Sequence, residues 1–200
     1  MNIETQTADS EWSEYKLPER TIAVAAVGLM VILSELLFPG GMMQLLTALR
    51  GDLSGTLVEV APEIEFIILL IAIHEVTHYL VTIRNGHSPQ FGLQFQKTFW
   101  LLREPVPYVI ALNQRISRNE NIRALIAPVV VINTIAAGVL LVPVPEIINY
   151  YARLALVVNT AGSIQDLYNV GRLLGLPETT EFVNLAEEEI RTFYTIQSNS

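Results

Sequence analysis

The sequence predicts a mainly α, polytopic membrane protein with about four transmembrane helices, and three observations carry that prediction. Of its 200 residues, 51% are hydrophobic and only 16% are charged, whereas soluble domains spend about a quarter of their residues on charge. The apolar residues gather in four runs, each near or above the ~20 residues a helix needs to cross the hydrocarbon core. The basic residues are sorted among the connections between those runs, as orientation in a membrane requires. Other classes are excluded by the same arithmetic. A net charge of −8 speaks against nucleic acid as a partner, because phosphate recognition draws on clustered Lys and Arg. The chain has no cysteine, so disulfides, thiolate metal sites and cysteine nucleophiles are absent.

The elements follow in order. Residues 1–20 carry Glu4, Asp9, Glu11, Glu14 and Glu19 with no basic region ahead of an apolar stretch, which predicts an acidic cytoplasmic tail and not a cleaved signal peptide. The first apolar run covers residues 21–38 and stops at Pro39-Gly40-Gly41. The second covers residues 64–83 and stops at Asn85-Gly86. The third covers residues 122–142, is interrupted by Pro128, and is closed by Pro143 and Pro145. Pro128 removes one backbone hydrogen bond and is expected to kink its helix. The fourth run covers residues 147–174 and ends before Gly175 and Pro177, although Arg153, Gln165 and Asp166 dilute it. Residues 178–200, with Glu187-Glu188-Glu189, read as an acidic C-terminal tail that is a solvated helix or a disordered end. The whole chain, 1–200, is expected to be a single integral-membrane domain.

Between the second and third runs, Phe91, Leu93 and Phe95 alternate with Gly92, Gln94 and Gln96, the period of a half-buried strand. A second β-prone run spans residues 106–112. The two predict a short β-hairpin with Trp100 and Tyr108 as interfacial anchors. This middle loop holds Arg84, Lys97, Arg103, Arg115 and Arg118, while the first and third connections share only Arg50. Four crossings then place both termini and the middle loop in the cytoplasm, and make the second and fourth helices parallel.

The chemistry-bearing residues lie inside the second run as His74-Glu75-Val76-Thr77-His78. Residues four apart stand one above the other on a helix, so both imidazoles can reach one Zn2+ while Glu75 acts on its water as general base. Two imidazoles and a carboxylate in an apolar span are costly to insert and usually mark function. Zinc requires a third protein ligand. His87 is the one other histidine but lies past the helix stop at Asn85-Gly86. Asp166 is one of three aspartates and the one inside an apolar run, and in the parallel arrangement it falls within ~12 Å of the membrane surface that His78 approaches, at 1.5 Å rise per residue. Asn159, Gly162, Ser163 and Asn169 share its helical face at spacings of three, four and seven, which is suited to close helix packing. Glu35, Glu63, Glu65 and Asn133 are weaker candidates, the glutamates as snorkelling residues and Asn133 as a partner of neighbouring backbone.

At these residues the chain resembles the zincin peptidase family of small multi-pass membrane proteins, distantly related to the site-2 intramembrane metalloproteases. The resemblance rests on the His74-Glu75-Val76-Thr77-His78 motif, on Asn85-Gly86-His87-Ser88-Pro89 with Phe91-Gly92, on Ala127-Pro128, and on the stretch from Asn159 to Leu167. It implies that Asp166 completes a zinc site with His74 and His78. Site-2 proteases commonly carry Asp-Gly at this point, whereas Leu167 follows Asp166 here.

The function expected is that of a zinc-dependent, membrane-embedded metalloprotease. Its substrates would be membrane proteins or peptides, its surroundings the lipid bilayer of the cell membrane, and Asn159 or Asn169 would bind the oxyanion or the substrate backbone. A catalytically inactive zincin-like binding or regulatory module is the alternative, which the intact Glu75 disfavours. A metal transporter would need polar groups along its whole length. The 17 glutamates against two lysines suit a high-salt cytoplasm.

Overall fold

In lipid the backbone of an apolar run has no water to bond, so the helix is the conformation that satisfies every N–H and C=O within the run itself. The computed structural model describes residues 12–41, 43, 47, 50, 55, 58–99, 102–186 and 190–197. Its elements in chain order are β1 (Ser13–Glu14), α1 (Glu19–Leu37), α2 (Ala61–Arg84), β2 (Gln90–Phe99), β3 (Leu102–Ile110), β4 (Arg115–Ser117), α3 (Arg118–Leu140), α4 (Glu146–Gly162), α5 (Ile164–Leu174), β5 (Thr180–Ala186) and β6 (Ile190–Ile196). The molecule is mainly helical with small antiparallel sheets.

Three helices among the described residues, α1, α2 and α3, are long and apolar enough to cross a membrane. Large apolar side chains on them point outward, among them Val24 and Ile32, Ile68 and Leu80, and Val130 and Ile135. A helix apolar on all sides needs an apolar surrounding, so these helices fit a membrane protein.

The expected fourth span is not one helix. It divides into α4 and α5 at Ser163, and neither piece meets the length and apolarity of a crossing. The cause is local. Ser163 donates both its backbone N–H (2.9 Å) and its Oγ (2.7 Å) to the Asn159 carbonyl, a serine back-bond that competes with helix continuation. The residues that follow are amphipathic, with Val170 and Leu173 buried and Gln165, Gly171 and Arg172 exposed.

The C-terminal segment also departs from expectation. It is neither helix nor a loose end but the two strands β5 and β6, with Glu187 to Glu189 outside the described residues. Thr180, Phe182, Val183, Asn184 and Leu185 are buried, because Phe182 and Val183 supply apolar surface that acidic neighbours conceal in a composition count. The sheet order is β1-β6-β5-β4, all antiparallel. The part of the N-terminal tail described therefore contributes an edge strand, and residues 1–11 lie outside the described residues.

The hairpin of the middle loop is present as β2 and β3, pairing Gln90 with Ile110 through Phe99 with Leu102. Gly92 sits opposite Tyr108, whose ring lies over it where a side chain would otherwise stand. The expectation for Trp100 falls outside the described residues.

By backbone contacts the chain forms two compact units. One comprises Met1–Arg20, Glu75–Ala127 and Asp166–Ser200 and contains both sheets and α5 from Asp166 onward. Tyr15 packs edge-on against Phe182 there, at 6.0 Å between ring centroids. The other comprises Thr21–His74 and Pro128–Gln165, and its core is Leu70, Ile132, Ala136 and Ala155, packed against Phe66, Leu156 and Val158.

Candidate metal centre

α2 ends where Asn85-Gly86 predicts. Gly86 takes φ 89°, and the N–H groups of Gly86 and His87 bond the carbonyls of Ile83 and Thr82, the paired bonds of a left-handed helix terminus that glycine favours. The turn commits the backbone of His87 to this terminus, and its Nε2 lies 3.4 Å from Glu120 Oε2. Glu120 in turn accepts from Ser117 N–H (2.9 Å) and Oγ (2.7 Å), while Ser117 Oγ accepts from Glu120 N–H (3.3 Å). This reciprocal cap starts α3. The role of His87 is thus at the cap of α3.

About two turns before that terminus stands His78, whose Nδ1–H donates to the Ala124 carbonyl at 2.8 Å. A carbonyl only accepts, so Nδ1 carries a proton. Nε2 faces Asp166 Oδ2 at 3.4 Å. Asp166 is reached from the first turn of α5, where the positive end of the helix dipole favours a carboxylate. Phe91 stacks on Tyr79, 4.6 Å between centroids, and fixes the start of the hairpin beside His78.

His74 occupies the preceding turn of α2. Its Nδ1 lies 3.0 Å from Asn159 Oδ1. Asn159 is 2% exposed, and its Nδ2 is identified by two acceptors, the Pro128 carbonyl (3.3 Å) and Asn133 Oδ1 (2.9 Å). Its Oδ1 therefore accepts, and His74 Nδ1 is the donor. Asn133 Nδ2 donates onward to Thr160 Oγ1 at 2.9 Å.

Both imidazoles thus donate Nδ1–H to an oxygen, an outer contact of the kind that orients metal-binding histidines. One ligand atom each from His74, His78 and Asp166 lies within 4.8 Å of the others, so a His-His-Asp cluster that could hold a metal is present. Bonds of ~2.0–2.1 Å at tetrahedral angles separate two ligand atoms by about 3.3 Å, close to the 3.4 Å between His78 Nε2 and Asp166 Oδ2. The donor set, two imidazoles and a carboxylate, suits zinc. Glu75 is half-buried on α2 directly after His74.

The sequence singled out His74, Glu75, His78 and Asp166, and the structure brings the two histidines and the aspartate together. Asn159 lies at His74. Asn169 lies elsewhere in α5, where its Oδ1 accepts the Tyr15 hydroxyl at 3.1 Å. Sequence reasoning missed Asn133, treated as a bland partner of backbone, and the carbonyls of Ala124 and Pro128. An asparagine in an apolar helix was the available signal for the first, while carbonyls carry no signal in residue identity. Glu35 receives the Gly40 N–H at 3.1 Å and Glu63 the Tyr150 hydroxyl at 3.2 Å, both structural bonds.

A family model described as "Putative zincin peptidase" matches residues 67–180, a stretch that includes His74, Glu75, His78 and Asp166. No curated protein and no solved structure matches the chain.

Proposed function

The chain belongs to this family of zincin peptidases, and from that premise we propose that it is a zinc-dependent, membrane-embedded metalloprotease. The observation that carries the reading is the His74-His78-Asp166 cluster, in which one ligand atom of each residue lies within 4.8 Å of the others while each imidazole Nδ1 is held by an oxygen. His74, His78 and Asp166 would hold the ion. Bound zinc would supply a Lewis acid that polarises the scissile carbonyl and makes water a nucleophile near neutral pH.

The chain's own residues do the rest. Glu75, next to His74 on α2, takes the proton of the attacking water and passes it to the leaving amine. Asn159 spends both amide protons on Pro128 and Asn133, so its part in this reading is to hold His74, and Asn169 is left as the candidate for the substrate backbone. The substrate is a membrane protein or peptide, unwound locally because a helix hides its amide bonds. An extended segment could add to an edge of the β2–β3 hairpin, where main-chain hydrogen bonds give affinity. The bilayer surrounds α1, α2 and α3, with both termini on the cytoplasmic side, as the sorting of basic residues indicates.

The test uses the full chain purified in detergent and a single-span model substrate. Cleavage by the wild type should fall by at least the 10²–10⁴-fold typical of lost general acid–base catalysis in Glu75→Gln, with bound zinc unchanged. Cleavage unaltered in Glu75→Gln would remove the mechanism.

A further inference from the structure

A proline inside a helix lacks the N–H that would bond the carbonyl four residues earlier. In α3 that proline is Pro128, and the carbonyl four residues earlier belongs to Ala124. This is the oxygen that accepts His78 Nδ1–H at 2.8 Å. Pro128 is fully buried, and its own carbonyl accepts Asn159 Nδ2 at 3.3 Å, the amide group whose other end receives His74 Nδ1–H at 3.0 Å. One residue thus stands behind both histidines, once through an atom it lacks and once through an atom it has.

We propose that Pro128 is a positioning residue for the metal centre, freeing the Ala124 carbonyl to fix the Nδ1–H form of His78 and anchoring the asparagine that fixes the same form of His74. This rests on the reading of His74 and His78 as metal ligands. The physical requirement is strict at His78. An imidazole without a fixed acceptor at Nδ1 can carry its proton on Nε2 instead, and a protonated Nε2 has no lone pair to give a cation. In an ordinary helix the Ala124 carbonyl would meet a backbone N–H from position 128, and His78 would compete with that donor. An interior proline otherwise disfavours a helix. Its presence beside the two histidines accounts for a defect that helix stability alone would not select.

The experiment compares two proteins that share a side chain and differ in one backbone group. The first is Pro128→Ala, which restores the N–H. The second is the same chain with a backbone ester at position 128, alanine's α-hydroxy analogue, which removes the N–H again without the proline ring. Packing lost with the ring is common to both and cancels. Zinc affinity is read by chelator competition, and the protonated nitrogen of His78 by 15N imidazole shifts in the metal-free protein. Pro128→Ala should bind zinc 10–100-fold more weakly than the ester form, the range typical of lost outer partners of metal ligands, and should shift His78 toward the Nε2–H form. Equal affinity and equal shifts in the two would overturn the proposal. So would a metal-free wild type with His78 protonated on Nε2, a measurement that needs no variant to fold. A wild type that binds no zinc while its His78 keeps Nδ1–H, and loses it in Pro128→Ala but not in the ester form, would overturn the zinc reading and leave the positioning role supported.

Discussion

Asn159 uses every polar atom of its side chain: Oδ1 on His74, and Nδ2 on both Pro128 and Asn133. An amide buried in this way would be destabilising by about 1–3 kcal/mol for each group left unpaired, so its full engagement is what makes a polar residue tolerable here. The sequence showed that Asn159 and Asp166 are polar residues in an apolar run, and that much was enough to select them. It could not show that the asparagine serves a histidine 85 positions away, because a hydrogen-bond partner is set by packing and not by spacing. Outside the helices the same scale governs Glu14. Hydrogen bonds from Arg191 Nε (2.8 Å) and the Lys16 ammonium (2.9 Å) hold its carboxyl well below the ordinary range, from 4.5 down to about 2. A carboxylate with a lowered folded pKa contributes stability above its unfolded value and loses it as pH falls toward the folded one. The docking of β1 on β6 should accordingly weaken between pH 4.5 and about 2. Backbone hydrogen exchange of residues 13–14 followed through that window checks this, and Glu14→Gln should flatten the dependence.

At the scale of elements, long apolar runs with clear stops were legible and amphipathic pieces were not. α1, α2 and α3 stand close to the expected runs because Pro39-Gly40, Asn85-Gly86 and Pro143 end them by backbone chemistry that does not depend on the fold. The hairpin was legible from strict alternation in residues 91–96. The break at Ser163 was not, since glycine and serine are common in membrane helices and the competing bond to the Asn159 carbonyl is seen only once the turn exists. β5 and β6 were hidden for a different reason: their apolar residues find cover only in a sheet assembled from both ends of the chain. The three long helices make a prediction of their own. Val27 is 51% exposed near the middle of α1, and arginine at the centre of a spanning helix costs about 2.5–3.5 kcal/mol on insertion scales. Val27→Arg should therefore lower membrane insertion of α1, measured with a glycosylation reporter, whereas no change would mean that α1 does not span.

For the whole molecule, composition pointed to a membrane, with which α1, α2 and α3 are consistent, whereas the strands that both acidic ends supply to one sheet were not legible in it. That sheet belongs to the same unit as α5, the helix that brings Asp166 to His78. The molecule holds a His-His-Asp cluster that could take a metal, with each imidazole bonded at Nδ1 to an oxygen. The measurement that bears most directly on it is the zinc content of the purified full chain beside that of Asp166→Ala, after dialysis against a weak chelator. The account predicts about one zinc per chain in the wild type, since three protein ligands and one open position describe a single catalytic site, and marked depletion in the variant. Equal zinc in the two proteins, or none in the wild type, would contradict it.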